Sequence, residues 1–167
     1  MNKPKIIPLL SIGLLSISLS PIVARALTSS ATIISFWRMF LASLLLWAYS
    51  FIYNKSFNSL SFSNKIRTSF AGLLLGLHFI FFYEAVKITT IANATFLGTL
   101  APFFTLLIEL VLYKRSYKKM VYYGMLLALL GTVSVLIYNF DLSSKYTLGN
   151  IYAVICSLCI SISFLIA

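Results

Sequence analysis

The sequence predicts an all-α fold, a polytopic transmembrane helix bundle of about six spans with a cytoplasmic N-terminus. Of the 167 residues, 60% are hydrophobic and only 10% are charged, whereas soluble domains carry about 25% charged residues. Such a chain has too few charges to cover a water-facing surface. The apolar residues form continuous runs, unlike the alternating strands of a β-barrel, and each run approaches the roughly 20 residues that cross a bilayer.

The predicted spans are separated by short polar connections. They cover residues 6–24, 32–53, 68–86, 91–113, 120–139 and 148–167, and the longest connection covers residues 54–67. Because the bilayer core offers no water to the backbone, every N–H and C=O group must pair within its own segment, which requires helices. The first span, preceded by Lys3 and Lys5, also fits a cleaved signal peptide. Its length and the five spans that follow favour a retained helix.

Small residues and a proline predict how the helices pack and bend. Pairs of small residues four positions apart recur in three spans: Gly72 with Gly76, Ala94 with Gly98, and Gly124 with Ala128. This spacing lets two helix backbones approach closely. Pro102 lies inside the fourth span, where it removes a backbone hydrogen bond and predicts a kink or a free carbonyl.

The positions of the basic residues predict the orientation of the chain. With a cytoplasmic N-terminus, nine fall inside: Lys3, Lys5, Lys55, Lys65, Arg67, Lys114, Arg115, Lys118 and Lys119. Three fall outside, namely Arg25, Lys87 and Lys145. This bias is typical of the predicted orientation. The net charge of +10 does not indicate nucleic-acid binding, because the bases lie at the ends of apolar runs and form no continuous stripe.

Ionisable residues inside spans are candidates for function, since each costs about 2.5–3.5 kcal/mol at a helix centre. If Arg38 faces the bundle interior, it is expected to bind an anionic or carboxylate group, with Trp37 as an aromatic wall; otherwise it snorkels to the surface. His78, in the middle of the third span, either serves a substrate or proton or bonds a neighbouring helix. Glu84 either pairs with Lys87 or guards the mouth of a cavity.

Other polar residues leave the same choice between helix packing and a cavity. Asn93, Thr95 and Thr99 lie in the outer half of the fourth span, and Glu109 near its end is expected to be paired or to snorkel. The aromatic cluster at Phe79, Phe81, Phe82 and Tyr83 is expected mainly to pack or face lipid. The predicted substrate cavity comprises Trp37, Arg38, His78, Tyr83, Glu84, Asn93, Thr95, Thr99 and Pro102.

The sequence contains no catalytic or metal-binding pattern. One histidine and three acids provide no paired carboxylates and no nucleophile–base set, so neither an enzyme nor a cofactor is predicted. Cys156 and Cys159 have a C-x-x-C spacing but lack nearby histidines or carboxylates, and are expected to be packing residues.

Three stretches carry a family resemblance. They are ISFWRMFLA at residues 34–42, FYEAVKITTIANATFLGTLAP at residues 82–102 and GMLLALLG at residues 124–131. In order and spacing they resemble the EamA-type domain of the drug/metabolite transporter superfamily. The chain departs from that pattern at residues 113–116, where Tyr-Lys-Arg-Ser replaces the usual Gly-Glu.

The resemblance implies ten spans built as two inverted five-helix repeats. Residues 1–145 would form the first repeat, and residues 146–167 the first helix of a truncated second repeat. It also implies a permease of the inner (cytoplasmic) membrane that moves a small-molecule substrate by alternating access. The expected partners are the lipid bilayer, the substrate, and a second repeat or a homodimer partner; no nucleic acid, metal or cofactor is expected.

Two other readings of the chain remain open at this point. One is a non-transporting membrane fragment with a binding or structural role, including a gene remnant. The other is a small multidrug exporter. Such exporters depend on a glutamate in the first span, and the first span of this chain has no acid, which argues against this reading.

Overall fold

The structure, a computed structural model, describes residues 3–53, 61–138 and 144–167. Within these ranges the helices are α1 (Lys3–Ala26), α2 (Ala31–Ile52), α3 (Phe62–Ile88), α4 (Ile91–Gly98), α5 (Ala101–Val111), α6 (Lys119–Tyr138) and α7 (Ser144–Ile166). Because α4 and α5 share one crossing, the described chain has six segments long and apolar enough to span a membrane, which confirms the predicted number. The predicted span end at residue 139 and most of the longest connection lie outside the described residues.

Hydroxyl side chains begin three of the helices. Ser30, Ser61 and Thr90 precede α2, α3 and α4, and each accepts a hydrogen bond from the backbone N–H three residues further on. Ser61 therefore starts α3 at Phe62, earlier than the predicted residue 68. The resulting 27-residue helix is about 40 Å long, against a hydrocarbon core of about 30 Å. Its first turns extend beyond that core.

Helix α3 lies at the centre of the bundle and contacts α1, α2, α4 and α7. Helix α7 packs along α3 and also contacts α4 and α5. Ala85 and Ala153 are fully buried where these helices meet. The helices approach closely at Gly149, where an added Cβ would lie 2.7 Å from the Cβ of Thr89. This close contact therefore depends on a small residue of α7.

The predicted close contact at Gly72 and Gly76 is wrong for the described chain. A Cβ added to either glycine meets no atom within 4 Å, and the same holds for Gly124. Helix α7 lies against a different face of α3, where Ala71 is buried and its carbonyl accepts a hydrogen bond from Ser163 at 2.9 Å. At Gly98 an added Cβ would touch the Phe82 ring at 3.4 Å, a side-chain contact, so the close backbone approach expected there stays a prediction.

The fourth span is broken, which confirms the predicted effect of Pro102. Helix α4 ends at Gly98, and Pro102 lies in the first turn of α5, where its missing N–H costs least. Two serines of α7 bind carbonyls on either side of the break. Ser157 donates to the Leu97 carbonyl. The Ser161 hydroxyl shares its one hydrogen between the Ala101 carbonyl at 2.8 Å and the Ser157 carbonyl of its own helix at 2.6 Å.

Consecutive spans run antiparallel, so the bundle has two ends. The end that carries the α1–α2 and α3–α4 connections is called the Thr89 end. There Arg25 donates to the Thr89 carbonyl at 3.0 Å, and Lys87 donates to the Leu27 carbonyl at 2.9 Å. The opposite end, where α5 ends and α6 begins, is called the Tyr113 end.

Candidate functional site

A cavity of about 420 Å³ lies between α1, α2, α3 and α4. Its wall combines polar and charged side chains with aromatic rings, namely Ser20, Arg38, His78, Thr95 and Thr99 with Phe79 and Phe82. A second cleft, of about 350 Å³ between α4, α6 and α7, is lined mainly by aliphatic residues, with Thr147 and Asn150 as its polar side chains. The first cavity therefore offers far more chemistry for recognising a ligand, and we call it the Arg38 cavity.

Arg38 is held in place by α1 and α3. Its Nη1 donates to the Ser20 hydroxyl at 2.7 Å and to the Tyr83 hydroxyl, and these two hydroxyls lie 2.9 Å apart. The guanidinium carbon lies 4.4 Å from the centre of the Phe79 ring, a distance at which a cation is attracted to the ring face. The guanidinium is thus fixed by neutral groups on two neighbouring helices.

Arg38 has no acidic partner in the described chain. Among the residues of known position, the one ion pair joins Arg115 to Glu109 at 2.7 Å, at the Tyr113 end. The Nε and Nη2 donors of Arg38 form no hydrogen bond within the same residues, because only Nη1 is engaged. The Arg38 cavity therefore contains a positive charge whose Nε–H and Nη2–H groups have no acceptor among the described residues.

His78 lies on the cavity wall and bonds a neighbouring helix, so the predicted helix contact is confirmed, whereas a role toward a substrate or a proton stays a prediction. Its Nδ1 lies 3.0 Å from the Cys156 carbonyl and 3.1 Å from the Cys156 Sγ of α7. A carbonyl can only accept, so Nδ1 carries the hydrogen in this contact. The neutral imidazole then has Nε2 as its hydrogen-bond acceptor.

The α4 wall of the cavity consists of Thr95, Gly98 and Thr99, immediately before the helix break. The Thr95 hydroxyl donates to the Ile91 carbonyl at 2.7 Å, and the Thr99 hydroxyl donates to the Phe96 carbonyl at 2.8 Å. Since each donates its hydrogen to the backbone, each oxygen remains available to accept one. This wall and His78 accept hydrogen bonds, whereas Arg38 donates them.

The other predicted cavity residues lie elsewhere. Trp37 is exposed beside the rings of Phe36 and Phe40, both 5.8 Å away. The aromatic ring next to Arg38 is that of Phe79, and not that of Trp37 as predicted. Tyr83 is buried next to Arg38 and lines a neighbouring groove of about 400 Å³ on the α1 side. Pro102 lines a separate cleft near Glu109.

Two polar predictions are resolved by the contacts of α3 and α4. The predicted pair of Glu84 with Lys87 is wrong, because the Lys87 amine bonds the carbonyls of Leu27 and Ser29 instead. Asn93 is buried in the packing of α4 rather than on the cavity wall. Its Oδ1 has no hydrogen-bond partner among the described residues.

Glu109 is paired, as the sequence predicts. Its partners are Arg115 and Tyr117, and not Lys114, the basic residue nearest to it in the sequence. Its carboxylate binds Arg115 at 2.7 Å and accepts a hydrogen bond from the Tyr117 hydroxyl. This bond raises the pKa of Tyr117 above its ordinary value. These three residues connect the end of α5 to the turn that follows it. They lie at the Tyr113 end, and none of them lines the Arg38 cavity.

Sequence reasoning missed Ser20, Phe79, Phe82 and Gly98 as parts of the cavity. Ser20 precedes Pro21 in the second half of α1, and a hydroxyl next to a proline inside an apolar helix was a signal available in the sequence. Proline has no N–H, so the carbonyl of Ile17, four residues earlier, loses its helical donor. Ile17 and Pro21 both lie on the cavity wall.

Cys156 and Cys159 are free thiols within α7, and Cys156 is fully buried. Over residues 3–53, 61–138 and 144–167, no group of three or more metal-binding side chains comes together. Cys156 and Cys159 therefore serve as packing residues of α7, and Cys156 lies beside His78.

The fold and the cavity together define a polytopic membrane protein with a polar pocket inside an apolar bundle. Residues 4–137 match the model of the EamA-like transporter family, so the chain belongs to that family. The match covers α1 to α5 and nearly all of α6, whereas α7 lies beyond it. No curated protein and no solved structure showed significant similarity to the chain.

Proposed function

We propose that the protein is a carrier of the cytoplasmic membrane that moves a small metabolite by alternating access. The observation that carries the proposal is the Arg38 cavity, a polar and charged pocket between four membrane-spanning segments. Charged groups inside membranes mark substrate or ion pathways, because their cost must be repaid by function. Membership of the EamA-like transporter family supports the same conclusion.

The broken fourth span supplies an element that can move. Thr95, Gly98 and Thr99 form the cavity wall at the point where α4 ends, so a change in the angle between α4 and α5 changes the shape of the cavity. Interrupted helices beside a central site are a recurring feature of membrane carriers. Helix α1 is a second such element, since Pro21 interrupts its hydrogen bonds on the opposite wall.

Transport is tested with the purified full chain in proteoliposomes. The vesicles are incubated with a mixture of isotope-labelled amino acids, nucleosides and organic acids, collected by rapid filtration, and analysed by mass spectrometry. The proposal expects one compound or a few related compounds to enter these vesicles well above protein-free vesicles. Entry of none of them, with folded protein in the vesicles, would favour the non-transporting membrane protein.

A pair of glycine variants ties transport to the cavity. Gly98→Leu places an isobutyl group against the Phe82 ring and into the cavity, whereas Gly124→Leu adds the same group where no atom lies within 4 Å. We expect Gly98→Leu to abolish uptake and Gly124→Leu to keep it. Equal uptake by both variants would place the pathway elsewhere.

A further inference from the structure

We infer that the Arg38 cavity binds a small organic anion, whose carboxylate or phosphate group is held by the Arg38 guanidinium beside the Phe79 and Phe82 rings. This inference rests on the proposed function, because it names the chemical class of the substrate. Three properties of the cavity support it: an uncompensated charge, a free pair of donors, and hydrogen-bond acceptors elsewhere on the cavity lining.

The first property is the charge of Arg38. Arg38 is half-buried inside an apolar bundle, and a cation withdrawn from water is normally paired with an acid, because its desolvation is costly. Its neighbours Ser20, Tyr83 and Phe79 are all neutral, and the hydroxyls engage Nη1 alone. Within the described ranges no carboxylate approaches it. A bound anion would complete the pairing that the protein itself leaves open.

The second property is the geometry of the guanidinium. It lies over the Phe79 ring, so its face is covered and its edges stay accessible. The Nε–H and Nη2–H donors share one edge and have no acceptor in the described chain. Two parallel donors on a planar group match the two oxygens of a carboxylate or phosphate. A lysine at this position would supply the charge without that fork.

The third property is the set of hydrogen-bond acceptors that line the same cavity. The Nε2 of His78 and the hydroxyl oxygens of Thr95 and Thr99 are acceptors, as derived from their hydrogen bonds to the backbone. Phe79 and Phe82 add apolar surface to the lining of the same cavity. The cavity is therefore suited to an anion with an apolar body and a donor group, within a volume of about 420 Å³.

Binding is tested with the full chain in phosphatidylcholine nanodiscs. The probes are 3-phenylpropionate and its neutral isostere 3-phenylpropanamide, which differ chiefly in charge, and dissociation constants are measured by ligand-observed NMR or calorimetry. We expect the anion to bind about tenfold more tightly than the amide, the lower range for a hydrogen bond to a charged group. Equal binding of the two probes, or no binding of the anion, would overturn the inference.

Variants assign the preference to Arg38. Arg38→Gln is expected to abolish the preference for the anion, whereas Arg67→Gln, an exposed arginine in the first turns of α3, is expected to keep it. Arg38→Lys retains the charge and loses the fork, so the preference should fall without disappearing. Melting temperatures show which variants fold. If Arg38→Gln does not fold, Arg38→Lys remains a test: an unchanged preference of this variant for the anion over the amide would overturn the inference.

Two further arms separate the possible outcomes. Nanodiscs that include phosphatidylglycerol test for a lipid headgroup as the anion; suppression of probe binding by this lipid would overturn the assignment to a metabolite. Nanodisc binding requires no transport, so a chain that binds the anion but moves nothing loses only the proposed function. A chain that moves only neutral or cationic compounds keeps its transport function and loses the anion assignment.

Discussion

Arg38 illustrates how a charge is tolerated within an apolar bundle. A guanidinium near a helix centre costs about 2.5–3.5 kcal/mol in the bilayer, and a desolvated cation over an aromatic ring regains up to about 2 kcal/mol. The Phe79 ring and the hydroxyls of Ser20 and Tyr83 supply such compensation here. The same contacts tie α1, α2 and α3 together, so the cluster supports the bundle as well as the cavity.

Tyr83→Phe tests the structural part of that role. The hydroxyl of this buried tyrosine bonds both Ser20 and Arg38, and its removal leaves the Nη1 of Arg38 with one partner. We expect a loss of about 0.5–1.5 kcal/mol in the free energy of unfolding, measured by denaturant titration in mixed micelles. Tyr123→Phe on exposed α6 serves as the control. Equal stability of the two variants would contradict the role of the hydroxyl.

At the scale of single residues, the sequence allowed the charged members of the site to be predicted but not their neighbours. Arg38 and His78 stand out because ionisable residues are rare inside spans. Ser20 and Phe79 are ordinary in an apolar helix, and their roles depend on how α1 and α3 are rotated toward Arg38. Trp37 was grouped with Arg38 by adjacency, yet successive residues on a helix point about 100° apart, so the two occupy different faces.

At the scale of elements, α7 is organised by one stripe of small residues. Gly149, Ala153, Ser157 and Ser161 follow one another at intervals of four, and all four are buried. This stripe faces α3 and the α4–α5 break, and among the glycines of the described chain Gly149 has the tightest surroundings. The signal was present in the sequence. Small-residue spacing shows that a face can pack closely but not which helix it meets, so Gly72 with Gly76 looked equally suitable.

Gly149→Val tests this contact. An added Cβ at Gly149 would lie 2.7 Å from the Cβ of Thr89 and 3.0 Å from its backbone nitrogen, so α7 must shift away from α3. We expect a destabilisation of about 1–3 kcal/mol, the usual cost of overpacking, measured as the free energy of unfolding. Gly131→Val adds the same group where no atom lies within 4 Å, and should leave stability nearly unchanged. Similar losses for both variants would contradict the contact.

The serines of α7 are expected to hold the helix break in the fourth span. Ser157 and Ser161 donate to the carbonyls of Leu97 and Ala101, which lie on either side of the break. Each such bond between membrane helices is worth about 0.6 kcal/mol on average, so Ser157→Ala with Ser161→Ala should cost roughly 1 kcal/mol. Amide hydrogen exchange at residues 99–105 should also become faster.

The matched control for this pair is Ser134→Ala. Ser134 donates to the Leu130 carbonyl of its own helix at 2.9 Å and lies exposed on α6. Its removal should change neither stability nor exchange at the break. If the double variant behaves like this control, the serines merely occupy space in α7, and the break is stabilised by Pro102 and the α4 cap alone.

At the scale of the whole molecule, the number of spans was predictable whereas their arrangement was not. Length and hydropathy determine which segments enter the bilayer, and six such segments are found as predicted. The order in which they pack is a different matter, because lipid tails are as apolar as leucine and provide no hydrophobic force between helices. Small residues and interhelical hydrogen bonds decide the partners instead. The central position of α3 and its contact with α7 therefore emerge only from the structure.

The charge distribution between the two ends predicts how the bundle sits in the membrane. In the topology predicted from the sequence, nine lysines and arginines fall on the side of the N-terminus and three on the side of the α1–α2 connection. Cytoplasmic loops carry the excess of such residues, so the Tyr113 end should face the cytoplasm.

Ser29→Cys and Ser116→Cys place a thiol at exposed positions of the Thr89 end and the Tyr113 end, respectively. A membrane-impermeant maleimide should label Ser29→Cys in intact cells and Ser116→Cys only after permeabilisation. The unaltered chain is the control, because Cys156 is buried and Cys159 lies within a span. The reverse labelling pattern would mean that the basic residues do not set the orientation of this protein.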